Sequence, residues 1–145
     1  MIHVWTVVCT QSSIDSTSNN ITLFEVIEQL NVPNPFPTPE PGKQLLAPIG
    51  LEVVTLWART DDLVPERSEC KVRFSDPKGT TILERSFEAN LTGHVRNRHR
   101  LRINGLPLTV PGRYTFHVDA KTPQGWKEFG SVPLQVKPAD GAKPG

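Results

Sequence analysis

The chain has 145 residues, 37% of them hydrophobic and 21% charged, and a formal net charge of +1. That length suits one domain with its own core, and the composition excludes a disordered polyelectrolyte. A charge so near zero also excludes a whole-molecule polycation, so any affinity for nucleic acid or an anionic surface must come from a local patch.

The opening stretch Met1–Cys9 (MIHVWTVVC) is apolar but short. It has no basic leader and no small-residue cleavage site after it, so it reads as a first strand and not as a signal peptide. His3–Gln11 alternates, with Trp5, Val7 and Cys9 on one face. Gln11–Asn20 is rich in Ser, Thr, Asn and Asp and predicts a turn. Ile21–Leu30 partly fits a helical period, but its β-branched start and the polar turn before it favour a strand paired with the first. Residues 31–48 carry Pro33, Pro35, Pro37, Pro39, Pro41 and Pro48. Each lacks a backbone donor and fixes φ, which predicts an extended crossover between sheets in place of a central strand.

Ile49–Arg59 places Leu51, Val53, Thr55 and Trp57 on one face, while Val54 and Leu56 make the other partly apolar, as in a central strand. Thr60–Arg67 is a charged loop. Glu69–Ser75 points Cys70, Val72 and Phe74 inward and Lys71 and Arg73 outward; after the turn Asp76–Gly79, Thr81–Glu88 returns with Leu83 and Phe87 as a hairpin. Val95–Ile103 is the next strand, and residues 105–112, with Pro107 and Pro111, form a connection. Arg113–Lys121 turns Tyr114, Phe116, Val118 and Ala120 inward. Trp126–Val136 is the last strand, in which Pro133 marks an edge or a bulge, and Pro138–Gly145 is a polar tail predicted to be disordered.

About eight strands with turn signals every ~8–12 residues predict an all-β fold, an immunoglobulin-like antiparallel β-sandwich forming one domain over residues 1–137. A closed barrel is the alternative; the proline-rich crossover favours a switch between two sheets. No internal repeat is visible. No apolar run approaches the roughly 18 residues of a membrane helix, so the expected location is cytoplasmic, with no membrane partner. Cys9 and Cys70 are then expected as buried thiols, and an inter-sheet disulfide would require secretion.

The stretches Cys9–Asp15, Thr22–Glu28, Leu56–Arg59, Arg98-His99-Arg100, Gly105-Leu106-Pro107, Pro111–Tyr114 and Ser131–Leu134 resemble an uncharacterised bacterial β-sandwich family, a domain of unknown function. The resemblance covers nearly the whole chain. It implies the sandwich fold and a bacterial intracellular origin, and it transfers no activity and no functional residue.

Enzyme chemistry finds little support. There is no Gly-x-Ser-x-Gly elbow, no phosphate-cradling glycine loop, no His-Glu-x-x-His and no Cys-x-x-Cys. The histidines are His3, His94, His99 and His117; a hydrolase or metal-dependent enzyme would need His99 or His117 to meet a carboxylate in a pocket. Asp61, Asp62, Glu66 and Asp76 could offer oxygen ligands to calcium, but they fall in separate segments and read as solvated loop residues. No catalytic residue, cofactor or metal is therefore expected.

The unusual constellation is Arg96, Arg98, Arg100 and Arg102, at alternate positions of one predicted strand. They share a face, roughly 7 Å apart and spanning about 20 Å, a spacing like that of phosphates on an extended nucleic-acid strand. The opposite face carries Val95, Asn97, His99, Leu101 and Ile103. In one reading the arginines pair with Glu84, Glu88, Asp119 or Glu128 across neighbouring strands. In the other they bind an acidic protein surface or, as the alternative, a polyanion or nucleic-acid backbone. No aromatic is interleaved in the row, which removes a stacking platform for bases. The expected function is a non-enzymatic protein-interaction module.

Overall fold

The computed structural model describes residues 1–33 and 45–139. Nine strands and no helix run through them: β1 (Ile2–Ile14), β2 (Ile21–Val26), β3 (Gln29–Val32), β4 (Leu45–Ala58), β5 (Glu66–Ser75), β6 (Thr81–Leu91), β7 (Arg96–Leu108), β8 (Gly112–Thr122) and β9 (Gly125–Pro138). They form two packed sheets, ordered β2-β1-β4-β7 and β3-β9-β8-β5-β6. The fold is an all-β sandwich, as the strand spacing predicts. No helix among the described residues is long and apolar enough to cross a membrane.

Period-two alternation explains the core. Val8, Leu51, Val53, Trp57 and Ile103 face inward from the first sheet, and Cys70, Val72, Phe74, Tyr114, Phe116, Val118, Leu134 and Val136 from the second. Phe74 packs on Tyr114 at 5.2 Å and on Phe116 at 4.5 Å between ring centroids. Trp57 is held edge-on by His3 at 5.0 Å and Phe129 at 5.6 Å, and its indole N–H donates to Thr55 Oγ1 at 3.1 Å. A register shift between His3 and Trp5 sets the faces of β1: Thr6 and Val8 turn inward opposite Thr55 and Val53, while Trp5, Val7 and Cys9 turn outward with Leu56, Val54 and Glu52.

The chain departs from the predicted elements where it changes sheets. Ile21–Leu30 is not one strand. β2 pairs with β1, then β3 pairs in parallel with β9, and the break follows Glu25, whose φ is 51°. Ile27, in that break, drops into the core and donates its N–H to Val8 O at 2.8 Å. The predicted 31–48 crossover is shorter at both ends, because β3 extends to Val32 and β4 starts at Leu45; residues 34–44 lie outside the described residues. Pro48 falls inside β4 at a register shift between Ala47 and Gly50, where a missing donor is tolerated. β7 runs past Gly105 and Pro107 to Leu108, since it is an edge strand and a proline there leaves no central ladder broken. Pro133 precedes the start of β3 pairing at Gln135, so one side of β9 is open there. β9 reaches Pro138, and Ala139 N–H donates to Val32 O at 2.6 Å; the remainder of the predicted tail, residues 140–145, lies outside the described residues.

Both cysteines are free and buried. They face different spaces: Cys70 belongs to the core between the sheets, whereas Cys9 sits on the outer face of the first sheet opposite Glu52. Burial pushes the Cys70 thiol up to about 11. Burial first, and then the Glu52 carboxylate, raise that of Cys9.

Two histidines are half-buried, in surroundings that disfavour the charged ring. His99, on the inner face of β7, stacks on Phe87 of the opposing sheet at 4.2 Å with 9° between planes. Burial lowers the pKa of His99 and of His3 from the ordinary 6.5. The unfolded chain therefore takes up protons first. Stability contributed by these rings is complete above 6.5 and is lost as pH falls from there through the lower folded values. Urea titrations are expected to show a midpoint falling below that pH, with a smaller fall in His99→Phe; an unchanged slope in that variant would refute the assignment.

Candidate anion-binding face

The four arginines all lie on β7, and the register places each of them on the outer face of the first sheet. Arg96, Arg98, Arg100 and Arg102 stand opposite Ala58, Leu56, Val54 and Glu52 of β4. The expected alternation holds, with Leu101 and Ile103 turned to the core.

The expected ion pairs do not form. Glu84 binds Lys71 at 3.2 Å, Glu88 meets Arg67 at 3.9 Å, and Asp119 and Glu128 bind Arg73 at 2.5 and 3.3 Å. All of these belong to the second sheet, whereas β7 closes the first, so the two charge sets lie on different sheets. Among the described residues none of the four arginines is ion-paired with a carboxylate.

Three of the arginines instead reach over β4 toward the β1–β2 hairpin. Arg102 Nη1 donates to Thr10 O at 2.8 Å, Arg100 Nη1 to Ser12 Oγ at 3.3 Å, and Arg98 Nη2 to Asn19 O at 2.8 Å and Asn19 Oδ1 at 3.3 Å. β1 pairs with β4 only as far as Cys9, so its last residues carry acceptors that β4 does not use. Val54 and Cys9 are fully buried although they face outward, as expected where long side chains lie across them. Glu52, opposite Arg102, accepts the Ser12 hydroxyl. Gly50 gives Arg102 room, since a Cβ there would come within 2.5 Å of Arg102 Nη2.

At the Arg96 end, Arg96, Arg98 and Leu56 with Ser18, Asn19 and Asn20 enclose a recess of about 130 Å³. Arg96 is exposed and has no partner among the described residues. Arg98 is half-buried, and its Nε is shielded from solvent with no acceptor. The hairpin side of this site was not foreseen. Residues 11–20 read only as a turn, and the contacts join positions 79 to 92 apart in sequence.

The histidines divide. Among the described residues His99 meets no carboxylate. His117, on the outer face of the second sheet, has Ser75 Oγ at 2.9 Å from Nε2 and Glu128 Oε1 at 2.5 Å from Nδ1, an order of groups that resembles a hydrolytic triad. Ser75 is only 5% exposed and its hydroxyl also approaches Thr115 O at 3.5 Å. The three side chains link β5, β8 and β9.

Three of the four calcium candidates are engaged in local bonds. Asp61 caps Leu63 N–H at 2.9 Å, Glu66 accepts from the N-terminal amine at 2.9 Å, and Asp76 Oδ1 accepts Lys78 and Thr80 N–H at 3.0 Å each. No group of three or more potential metal ligands occurs among the described residues. In comparisons with known proteins, no family model matches the chain and no curated protein is similar to it.

Proposed function

We propose that this domain is a non-enzymatic interaction module that takes an acidic, extended segment of a protein partner as an added strand along β7. One observation carries the proposal: a strand at the edge of its sheet bears four arginines on one face, with Glu52 opposite Arg102 but none of the four in a salt bridge among the described residues. An unpaired edge offers a row of backbone donors and acceptors, and like charges along it discourage pairing between copies. An incoming strand with Glu or Asp at alternate positions turns that repulsion into cross-strand attraction.

The polyanion reading is weaker. Bases need stacking surfaces, and the nearest aromatic across the sheet, Trp5, is half-buried and two strands from Arg98. The strand order, with crossovers linking the sheets and Tyr114 bonded back to Val110, supports the immunoglobulin-like reading. A bacterial cytoplasmic setting accords with the family resemblance and the free thiols.

The test uses a labelled eight-residue peptide alternating Glu and Val, its Lys counterpart and an oligothymidylate, read by fluorescence anisotropy. The Glu peptide is expected to bind best, and Arg100→Glu/Arg102→Glu to weaken it by about tenfold or more while circular dichroism stays that of the wild type. Equal binding by that variant would remove the arginines from the site. Tighter binding of the oligothymidylate would replace the proposal with the polyanion reading.

A further inference from the structure

The recess between β7 and the β1–β2 turn is chemically distinct from the rest of the arginine face. Arg100 and Arg102 spend donors on a hydroxyl and a carbonyl, and neither lines the recess. Arg96 and Arg98 do line it, and both hold unused donors: the whole Arg96 guanidinium and the shielded Arg98 Nε. A buried donor without an acceptor is costly, and a bound water, ion or ligand group can supply the missing acceptor.

The opposite wall is polar and already shaped. Asp15 accepts Ser18 N–H at 2.9 Å, and Asn19 adopts a left-handed φ of 61° that suits Asn at a turn. The Arg98 bonds to Asn19 then clamp this turn against β7. Ser18 Oγ accepts Asn20 N–H at 3.2 Å while its own hydroxyl is bonded to the Asp15 carboxylate, and the Asn20 side-chain amide has no partner among the described residues. Donors therefore approach from two sides, guanidinium N–H from the strand and the Asn20 amide N–H from the turn.

A planar carboxylate is satisfied by one arginine fork. A phosphate monoester presents three acceptor oxygens and a charge of about −1.5 to −2, which matches donors arriving from several directions. We propose that the recess binds a phosphate monoester, and that in the complex it takes a phosphorylated Ser or Thr at one end of the acidic strand. The partner's form rests on the strand-addition reading above, while phosphate binding itself does not.

The experiment is an NMR titration of the full, isotope-labelled chain with inorganic phosphate, and with acetate in parallel. Phosphate is expected to move the amides of Ser18, Asn19 and Asn20 and the Arg98 Nε–H saturably. Arg96→Gln, a change at an unpartnered exposed side chain, is expected to weaken this at least fivefold without disturbing other resonances. Absence of a saturable shift, equal response in Arg96→Gln, or equal affinity for acetate would each overturn the phosphate site. A second arm compares the Glu/Val peptide with and without one terminal phosphoserine, and the phosphopeptide is expected to bind at least fivefold tighter. Equal binding of the two peptides would overturn the role of the recess in partner choice and leave strand addition standing. Loss of all peptide binding with phosphate binding intact would overturn strand addition alone.

Discussion

Trp57→Ala is expected to lower the unfolding free energy by about 3–5 kcal/mol, the range for removing a large buried aromatic. Trp57 is fully buried near the C-terminal end of β4, the strand flanked by β1 and β7. Its ring lies between His3 of β1 and Phe129 of β9, so it joins the two sheets near one end of the sandwich. Truncation leaves a cavity that the close-packed surroundings fill only in part, and it removes the donor that serves the buried Thr55 hydroxyl. Urea unfolding followed by circular dichroism measures the loss. A change below about 1 kcal/mol, the scale of surface substitutions, would mean that the indole does not hold the sheets together. Trp57→Phe, which keeps a ring, is expected to recover more than half of the lost stability.

Asp76→Ala is expected to cost about 2–3 kcal/mol, because a charged acceptor of several bonds is removed at once. Asp76 is only 7% exposed. One oxygen closes the β5–β6 turn through Lys78 and Thr80 N–H, and the other accepts Thr109 Oγ1 at 3.1 Å. Thr109 and Val110 also donate their N–H groups to Tyr114 Oη at 2.8 and 3.1 Å, and that hydroxyl returns its proton to Val110 O at 2.6 Å. Turn, crossover and the start of β8 thus share one network, in which the loss of a single member exposes the others. Asp76→Asn keeps the turn acceptor and is expected to cost less than half as much. Equal losses for the two variants, read from the shift in urea midpoint, would show that the turn bonds are not what Asp76 contributes.

Alternation made the central strands legible. β5 and β8 have one apolar and one polar face each, so the sequence alone assigns Cys70, Val72 and Phe74, and Tyr114, Phe116 and Val118, inward. β2 and β3 were not separable, because the chain crosses between sheets with no glycine or proline to mark the break. The arginine row was legible as a face, but its surroundings were not. Which strands lie beside β7 follows from topology, and the carboxylates nearest in composition proved to belong to the other sheet. The Ser75–His117–Glu128 contact was equally hidden, since it depends on three strands meeting in a particular register.

Gly50 shows how far the charged face depends on an uncharged position. Arg102 lies where any larger residue at 50 would place its first side-chain carbon. Scanning the surface by swapping charges would pass over this site, yet an alanine there would bring its Cβ within 2.5 Å of Arg102 Nη2 and make the guanidinium shift. The electrostatic pattern of the domain is thus written partly in steric terms, and a sequence that kept all four arginines but not the glycine would present a different face to a partner.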